Sequence, residues 1–200
     1  MFGRMIKIGI LGDIGSGKSY VAKQFGFPVF DADKEVSKIY KKNKNCFKKL
    51  KKKFPKHIFS FPIKKKEIGK AVIDNKFNLK RIIRIVHPIV RKNMNNFLKK
   101  NKNKKYVVLD IPLLLENKIS NKNFFLIFVE AKKIEIIKRL KKRSNFNIKI
   151  YKKLKRFQLP LEIKKKKSNF IIKNNFKNSY IKKNVKIIKK KILNYERYSS

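Results

Sequence analysis

Apolar residues along this chain gather into short continuous runs separated by Lys-rich segments, the pattern of strands buried on both faces rather than of a half-exposed sheet. The runs are Ile6 to Leu11, Pro28-Val29-Phe30, Tyr106 to Leu109, Phe124 to Val129 and Phe170-Ile171-Ile172. Between them the spacing turns helical. Val21-Ala22-Lys23-Gln24-Phe25 continues a helix after the first run, and Lys34 to Tyr40 forms one after the second. Lys132 to Arg143 reads as a further helix with Arg139 and Arg143 four residues apart on one face. Leu79 to Leu98 carries a helical stripe through Ile82, Ile83, Ile85, Val86, Ile89, Val90, Met94 and Phe97. Pro88 removes an amide donor there, so a break or kink is expected, presenting His87 and Arg91 near it. Ile181, Val185, Ile188 and Ile192 predict an amphipathic helix over Tyr180 to Tyr195. Its Lys-rich outer face also suits a membrane surface, but packing against the sheet is the stronger reading. Strands alternating with helices predict an α/β fold with a five-stranded parallel sheet.

Two stretches break the alternation. Residues 41 to 66, Lys-rich with Pro55 and Pro62 and weak periodicity, read as an irregular or loosely helical insertion or, equally, as disorder. Residues 144 to 167 are still basic, contain Arg156, Gln158 and Pro160, and suit a flap. The 200 residues are expected to form one domain spanning 1–200, with mobile sub-regions.

Composition adds three constraints. Cys46 is the only cysteine, which excludes an internal disulfide and a Cys-based metal cluster and suits a reducing cytoplasm. No window approaches the roughly 18 apolar residues of a membrane span, and the N-terminal apolar stretch is too short for a signal peptide. A soluble cytoplasmic protein is expected. The net charge of +45, from 57 Lys and Arg against 12 Asp and Glu, would ordinarily suggest a nucleic-acid partner. Here the excess is spread over the whole chain, is mostly Lys, and comes with many Asn, Ile and Phe, all residues of A/T-rich codons. Base bias therefore explains it at least as well, and no specific nucleic acid is expected. The bias makes the surviving acids informative: Asp13, Asp31, Asp33, Glu35, Asp110 and Glu116 lie in or beside a glycine-rich loop and two strand ends.

That loop carries the chemistry. Gly12-Asp13-Ile14-Gly15-Ser16-Gly17-Lys18-Ser19 fits G-x-x-x-x-G-K-[ST] between a strand and a helix. Glycines let successive N–H groups turn toward phosphate oxygens, Lys18 adds a mobile cation, and the Ser19 hydroxyl can hold Mg²⁺. Asp31-Ala32-Asp33 closes the second strand and Asp110 the third, and ligands of open parallel sheets sit outside those carboxyl ends. Phosphoryl transfer requires a cradle, a metal, cations on the moving group and a carboxylate near the acceptor hydroxyl. The loop with Lys18, Ser19 with Asp110, Arg139 with Arg143, and Asp33 or Asp31 are one candidate for each part. Asp31 could instead cap the following helix, and His87 could be a packed histidine.

The motifs Gly12 to Ser19, Asp31-Ala32-Asp33, His87-Pro88-Ile89-Val90-Arg91, Asp110-Ile111-Pro112-Leu113-Leu114-Leu115-Glu116, Arg139 with Arg143, Gln158-Leu159-Pro160 and Asn174 stand in an order that resembles the dephospho-CoA kinase family. The resemblance runs from about residue 6 to 190. It implies a P-loop kinase-like three-layer fold with a helical acceptor-binding region over about 34–100 and a lid over about 139–165. It implies ATP and Mg²⁺ as cofactors, dephospho-CoA as the small-molecule substrate, and transfer of the γ-phosphate to its ribose 3′-hydroxyl. No membrane partner is expected, and a monomer is. By this likeness Asp33, Lys18 and Arg139 are catalytic. Gly12, Asp13, Ile14, Gly15, Ser16, Gly17, Lys18, Ser19, Tyr20, Arg143 and Asn174 line the nucleotide, Asp31, Asp33, His87, Arg91, Pro112 and Leu113 the acceptor, and Ser19 and Asp110 the metal. The chain departs from the family pattern at Leu11, Asp13, Tyr20, Ile83, Asn169 and Lys173, of which an exposed Asp13 would weaken ATP binding. Rival readings are another P-loop kinase of small molecules or nucleoside monophosphates, and a non-catalytic nucleic-acid-binding protein.

Overall fold

All five apolar runs are strands of one sheet in a computed structural model that describes residues 5–112, 114–116, 124–144 and 146–197. The elements run β1 (Ile6–Gly12), α1 (Lys18–Gln24), β2 (Val29–Asp31), α2 (Ala32–Lys42), α3 (Lys44–Lys53), α4 (Lys65–Asp74), α5 (Asn78–Lys100), β3 (Tyr106–Asp110), β4 (Phe124–Glu130), α6 (Lys133–Lys141), α7 (Ile148–Arg156), α8 (Leu161–Lys166), β5 (Phe170–Lys173) and α9 (Asn178–Arg197). They fall into two compact units. One comprises residues 1–31, 101–146 and 158–200; the other comprises 32–100 and 147–157.

The first unit holds the sheet, in the order β2-β3-β1-β4-β5, with every pair parallel. β1 is central because its residues are apolar on both sides of the pleat. Ile8 and Ile10 pack with Val108, Ile127, Val129 and Ile172 under Val21 of α1, Phe25 at its C-terminal cap, and Ile181, Val185, Ile188 and Ile192 of α9. Residues of the opposite parity, Leu11, Leu109 and Phe128, are buried as well. Both faces are therefore covered, as a parallel sheet requires, and each such side chain contributes about 1.5–3 kcal/mol through burial. The stepped spacing of Ile181 to Ile192 is thus a sheet-packing stripe. Lys189 anchors α9 further, donating to the Phe25 carbonyl at 3.0 Å with its ammonium 4.5 Å from the Phe27 ring centre. Asn169 extends the β4–β5 ladder, its Oδ1 accepting from Leu126 N and its own N–H donating to Leu126 O, both at 2.8 Å. An acid there would make the same bond to Leu126 N, so this departure from the family pattern is neutral for the ladder.

The second unit is helical, and in it residues 41 to 66 are a partly helical insertion and not a disordered one. They are ordered: α3 is a regular helix whose N-cap Asn43 accepts from Cys46 N at 2.8 Å. Cys46, Leu50, Phe54, Ile58 and Ile63 are all buried, in one cluster with Ile39, Ala71, Val72, Leu79, Ile82 and Val86. Steps of four from Cys46 to Ile58 supply the stripe, which the surrounding lysines mask in any averaged hydropathy. Glu67, itself buried, receives Phe59 N, Ser60 N and the Ser60 hydroxyl and so fixes the chain between α3 and α4.

Pro88 does not break α5, which runs uninterrupted from Asn78 to Lys100. Pro88 and Arg84, whose carbonyl loses its usual donor, both lie on the exposed side where water can bond, while Leu79, Ile82, Val86 and Met94 hold the buried side in place. Glu35 accepts from Lys38 at 2.6 Å and from Asn93 at 3.2 Å, linking α2 to α5. α7 packs against α4. Lys153 donates to the carbonyls of Val72 at 2.6 Å and Ile73 at 3.0 Å, capping the C-terminus of α4 where positive charge is favoured.

Candidate active site

The phosphate loop begins where β1 ends and is shaped by glycines in backbone conformations that other residues rarely adopt. Gly12 has φ 144°, and a Cβ on it would lie 2.6 Å from the Val129 carbonyl oxygen and 2.7 Å from Ser16 Oγ. Gly17 has φ 92°, and a Cβ there would lie 2.3 Å from Asn174 Nδ2. Between them the backbone folds back, with Ser16 N donating to Asp13 O at 3.2 Å. The Lys18 ammonium donates to the carbonyls of Asp13 at 2.7 Å and Gly12 at 3.3 Å, so its charge sits at the loop itself.

The remaining loop residues take distinct places. Asp13 is buried, and its Oδ1 accepts from Ile14 N at 2.8 Å. It is therefore not an exposed charge in front of the loop. Ser19 is exposed on the first turn of α1, and Tyr20 packs against the sheet core. Asn174, just beyond β5, pins the loop from the other side. Its Nδ2 donates to Ser16 O at 2.7 Å, its N–H donates to Glu130 O at 2.6 Å, and its Oδ1 accepts from Phe176 N at 2.7 Å.

Asp31 and Asp110 are register partners at the ends of the neighbouring strands β2 and β3. Partners in a parallel pair point to the same side of the sheet, so two carboxylates are held side by side at the edge where the phosphate loop emerges. Neighbouring anions repel, and a cation between or beside them relieves that cost. Pro112 follows in the turn after β3; Leu113 lies outside the described residues.

In the helical unit, Asp33 is in the first turn of α2, two residues after Asp31 and exposed. His87 and Arg91 are one turn apart on α5, the first half-buried and the second exposed.

Arg139 and Arg143 do not share a helix face. α6 ends at Lys141, and Arg143 sits in a tight turn, its N–H donating to Leu140 O at 3.0 Å. Arg139 remains helical, its guanidinium carbon 4.4 Å from the Phe176 ring centre. Residues 144 to 167 hold α7 and α8, with α7 belonging to the helical unit and α8 to the sheet unit.

One anchor of this region has no signature in the sequence. Lys164 of α8 is 1% exposed and forms a 2.8 Å ion pair with Glu116, which also accepts from Leu159 N at 2.8 Å. In the run Lys164 to Lys167 nothing marks the first lysine as the buried one. Phe176 was equally unmarked: an aromatic after Asn174-Asn175 carries no pattern of its own.

A parallel sheet in this order, with a glycine-lysine phosphate loop after its central strand and carboxylates at the adjoining strand ends, defines a P-loop kinase fold. The crystal structure of a shikimate kinase from Bacteroides thetaiotaomicron shares that fold at TM-score 0.52 and 13% identity, over 94% of this chain and 99% of the other. The family model described as dephospho-CoA kinase matches residues 6–179. The dephospho-CoA kinase of Wolbachia sp. subsp. Brugia malayi is 34% identical over 90% of this chain and 95% of its own. The structure of dephospho-CoA kinase from Campylobacter jejuni superposes at TM-score 0.60 with 25% identity, covering 94% of this chain and 97% of the other. TT1252 from Thermus thermophilus superposes at 0.73 with 29% identity, covering 92% and 96%. This chain belongs to the dephospho-CoA kinase family. Its reaction class is ATP-dependent phosphorylation of a hydroxyl group. Among the described residues no helix is long and apolar enough to cross a membrane.

Proposed function

We propose that this chain transfers the γ-phosphate of ATP to the ribose 3′-hydroxyl of dephospho-CoA, giving coenzyme A. The observation that carries the reading is the phosphate loop set beside the in-register carboxylates Asp31 and Asp110, in a chain of this family. The loop also suits a phosphate chemically. Ser16 Oγ is buried with no hydrogen-bond partner among the described residues, and a phosphate oxygen is an acceptor for it.

On this reading Gly12 to Tyr20 cradle the nucleotide phosphates, and Lys18 exchanges its two loop carbonyls for phosphate oxygens. Ser19 and Asp110 are the residues that would hold Mg²⁺, which would supply positive charge against the nucleotide phosphates. Asp33 orients the acceptor hydroxyl and takes its proton as the oxygen attacks. Arg139 and Arg143 bring positive charge to the transferring group, and Asn174 keeps the loop in shape. Asp31, His87, Arg91, Pro112 and Leu113 serve the acceptor side. The chain works as a cytoplasmic monomer, with no specific nucleic-acid partner.

ADP release from Mg·ATP with and without dephospho-CoA, at moderate salt, tests this. Turnover should require dephospho-CoA. Lys18→Ala should lower it by about 10²–10³-fold and Asp33→Asn by about 10²–10⁴-fold, with melting temperatures near the parent's. Equal turnover with a nucleoside monophosphate, or none with any alcohol, would overturn the substrate assignment.

A further inference from the structure

We infer that Phe176 is a positioning residue for Arg139, fixing the guanidinium next to the phosphate loop. The inference rests on the reading of Arg139 as a phosphate-site cation, and it adds a residue to which no role has been given. Four observations meet at Phe176. Its φ of 61° is left-handed, a conformation that a bulky aromatic adopts only where its surroundings impose it. Asn174 imposes it: the side chain that accepts from Phe176 N at 2.7 Å also donates to Ser16 O at 2.7 Å. The ring edge comes to the loop, since a Cβ built on Gly17 would lie 3.7 Å from Phe176 Cε1. The Arg139 guanidinium stands over the same ring, 4.4 Å from its centre.

A continuous chain of contacts therefore links the loop carbonyl of Ser16, the Asn174 amide, the Phe176 backbone and ring, and the Arg139 cation. Arg139 is otherwise exposed, on the outer side of α6. An exposed arginine samples many rotamers, and ordering it on demand costs conformational entropy. Contact with a ring that is itself fixed to the loop leaves less of that entropy to be lost when phosphates arrive. The ring face attracts a guanidinium through its quadrupole and takes no strong hydrogen bond from it, which leaves the cation able to donate to phosphate oxygens. The strained φ is what a positioning role predicts and a purely structural role does not. A residue present only for packing would gain from a glycine at that φ.

The test compares Phe176→Leu, Phe176→Tyr and Phe176→Gly in the full chain. Phe176→Leu keeps apolar bulk without the π face and should lower kcat/KM for ATP about twofold to fivefold, while Phe176→Tyr restores the parent value. Phe176→Gly should lower kcat/KM as well yet raise the melting temperature, because it relieves the backbone. In an Arg139→Ala background Phe176→Leu should cause no further loss. An undiminished loss in that background, or parent-like activity of Phe176→Leu, overturns the proposal. A second readout needs no turnover: the rate at which phenylglyoxal modifies Arg139, followed by mass spectrometry without nucleotide, should rise about twofold to fivefold in Phe176→Leu. An unchanged rate shows that the ring does not hold the guanidinium. If the parent fails to phosphorylate dephospho-CoA while the modification rate still rises, the substrate reading falls and the positioning of Arg139 stands.

Discussion

The sheet unit and the helical unit carry the same lysine-rich composition but are held in different ways. In the sheet unit, polar groups with specific partners fix the loops around a core supplied by five strands. Asn174 holds the phosphate loop, Asn169 completes a ladder, and Glu116 receives Lys164 and the Leu159 amide. In the helical unit the order comes mainly from one apolar cluster running from Ile39 to Val86, with lysines outside it. Site geometry depends on particular residue types that drift cannot replace, whereas a helix surface accepts Lys at almost any exposed position. The contrast explains how a chain with net charge +45 keeps a built phosphate site.

The sheet unit should lose most when one member of a polar pair is removed. Lys164→Met leaves the largely enclosed Glu116 carboxylate without its cation and should cost up to about 3–5 kcal/mol in a urea melt. The double change Lys164→Met with Glu116→Gln should recover most of that loss, because no charge then remains to be compensated. In the helical unit the corresponding change is Leu50→Ala. It empties a fully buried site and should cost about 2–5 kcal/mol, while nucleotide binding at low temperature persists.

The smallest effect concerns Cys46. Burial pushes its thiol up from 9.0 to about 11, opposed in part by Lys49. The folded state therefore keeps the proton that the unfolded chain loses above about pH 9. Stability from this group is fully present below that pH and falls as pH rises toward 11. A shift of this size amounts to about 2 kcal/mol by pH 11. Cys46→Val should flatten the alkaline decline of stability by about that amount, and the native thiol should resist alkylation at neutral pH.

Much of this molecule is legible in the residue order. The phosphate loop, the strand-end acids and the sheet all stand out because glycine at a left-handed φ, carboxylate against a basic background and unbroken apolar runs each have a physical cause independent of composition. What the sequence conceals is hidden by lysine. Lys164 looks like its neighbours, the Cys46 to Ile58 stripe is diluted, and the Lys141 end of α6 has no glycine to announce it. Glu35 and Glu116 show the limit of reading surviving acids as chemical: the first ties α2 to α5, and the second pairs with Lys164. Pro88 shows the limit of local rules, since a helix with a long buried stripe tolerates one lost hydrogen bond on its wet side.

Fold, site and family converge on a chain that phosphorylates one hydroxyl of one nucleotide-bearing thiol. The most direct test incubates the protein with Mg·ATP and dephospho-CoA and locates the new phosphate by ³¹P NMR and mass spectrometry. A single added phosphate is expected, a monoester on the ribose 3′-oxygen, absent from the Lys18→Ala reaction. A phosphate on another position, or an unaltered acceptor alongside ATP that is bound but not consumed, would contradict it.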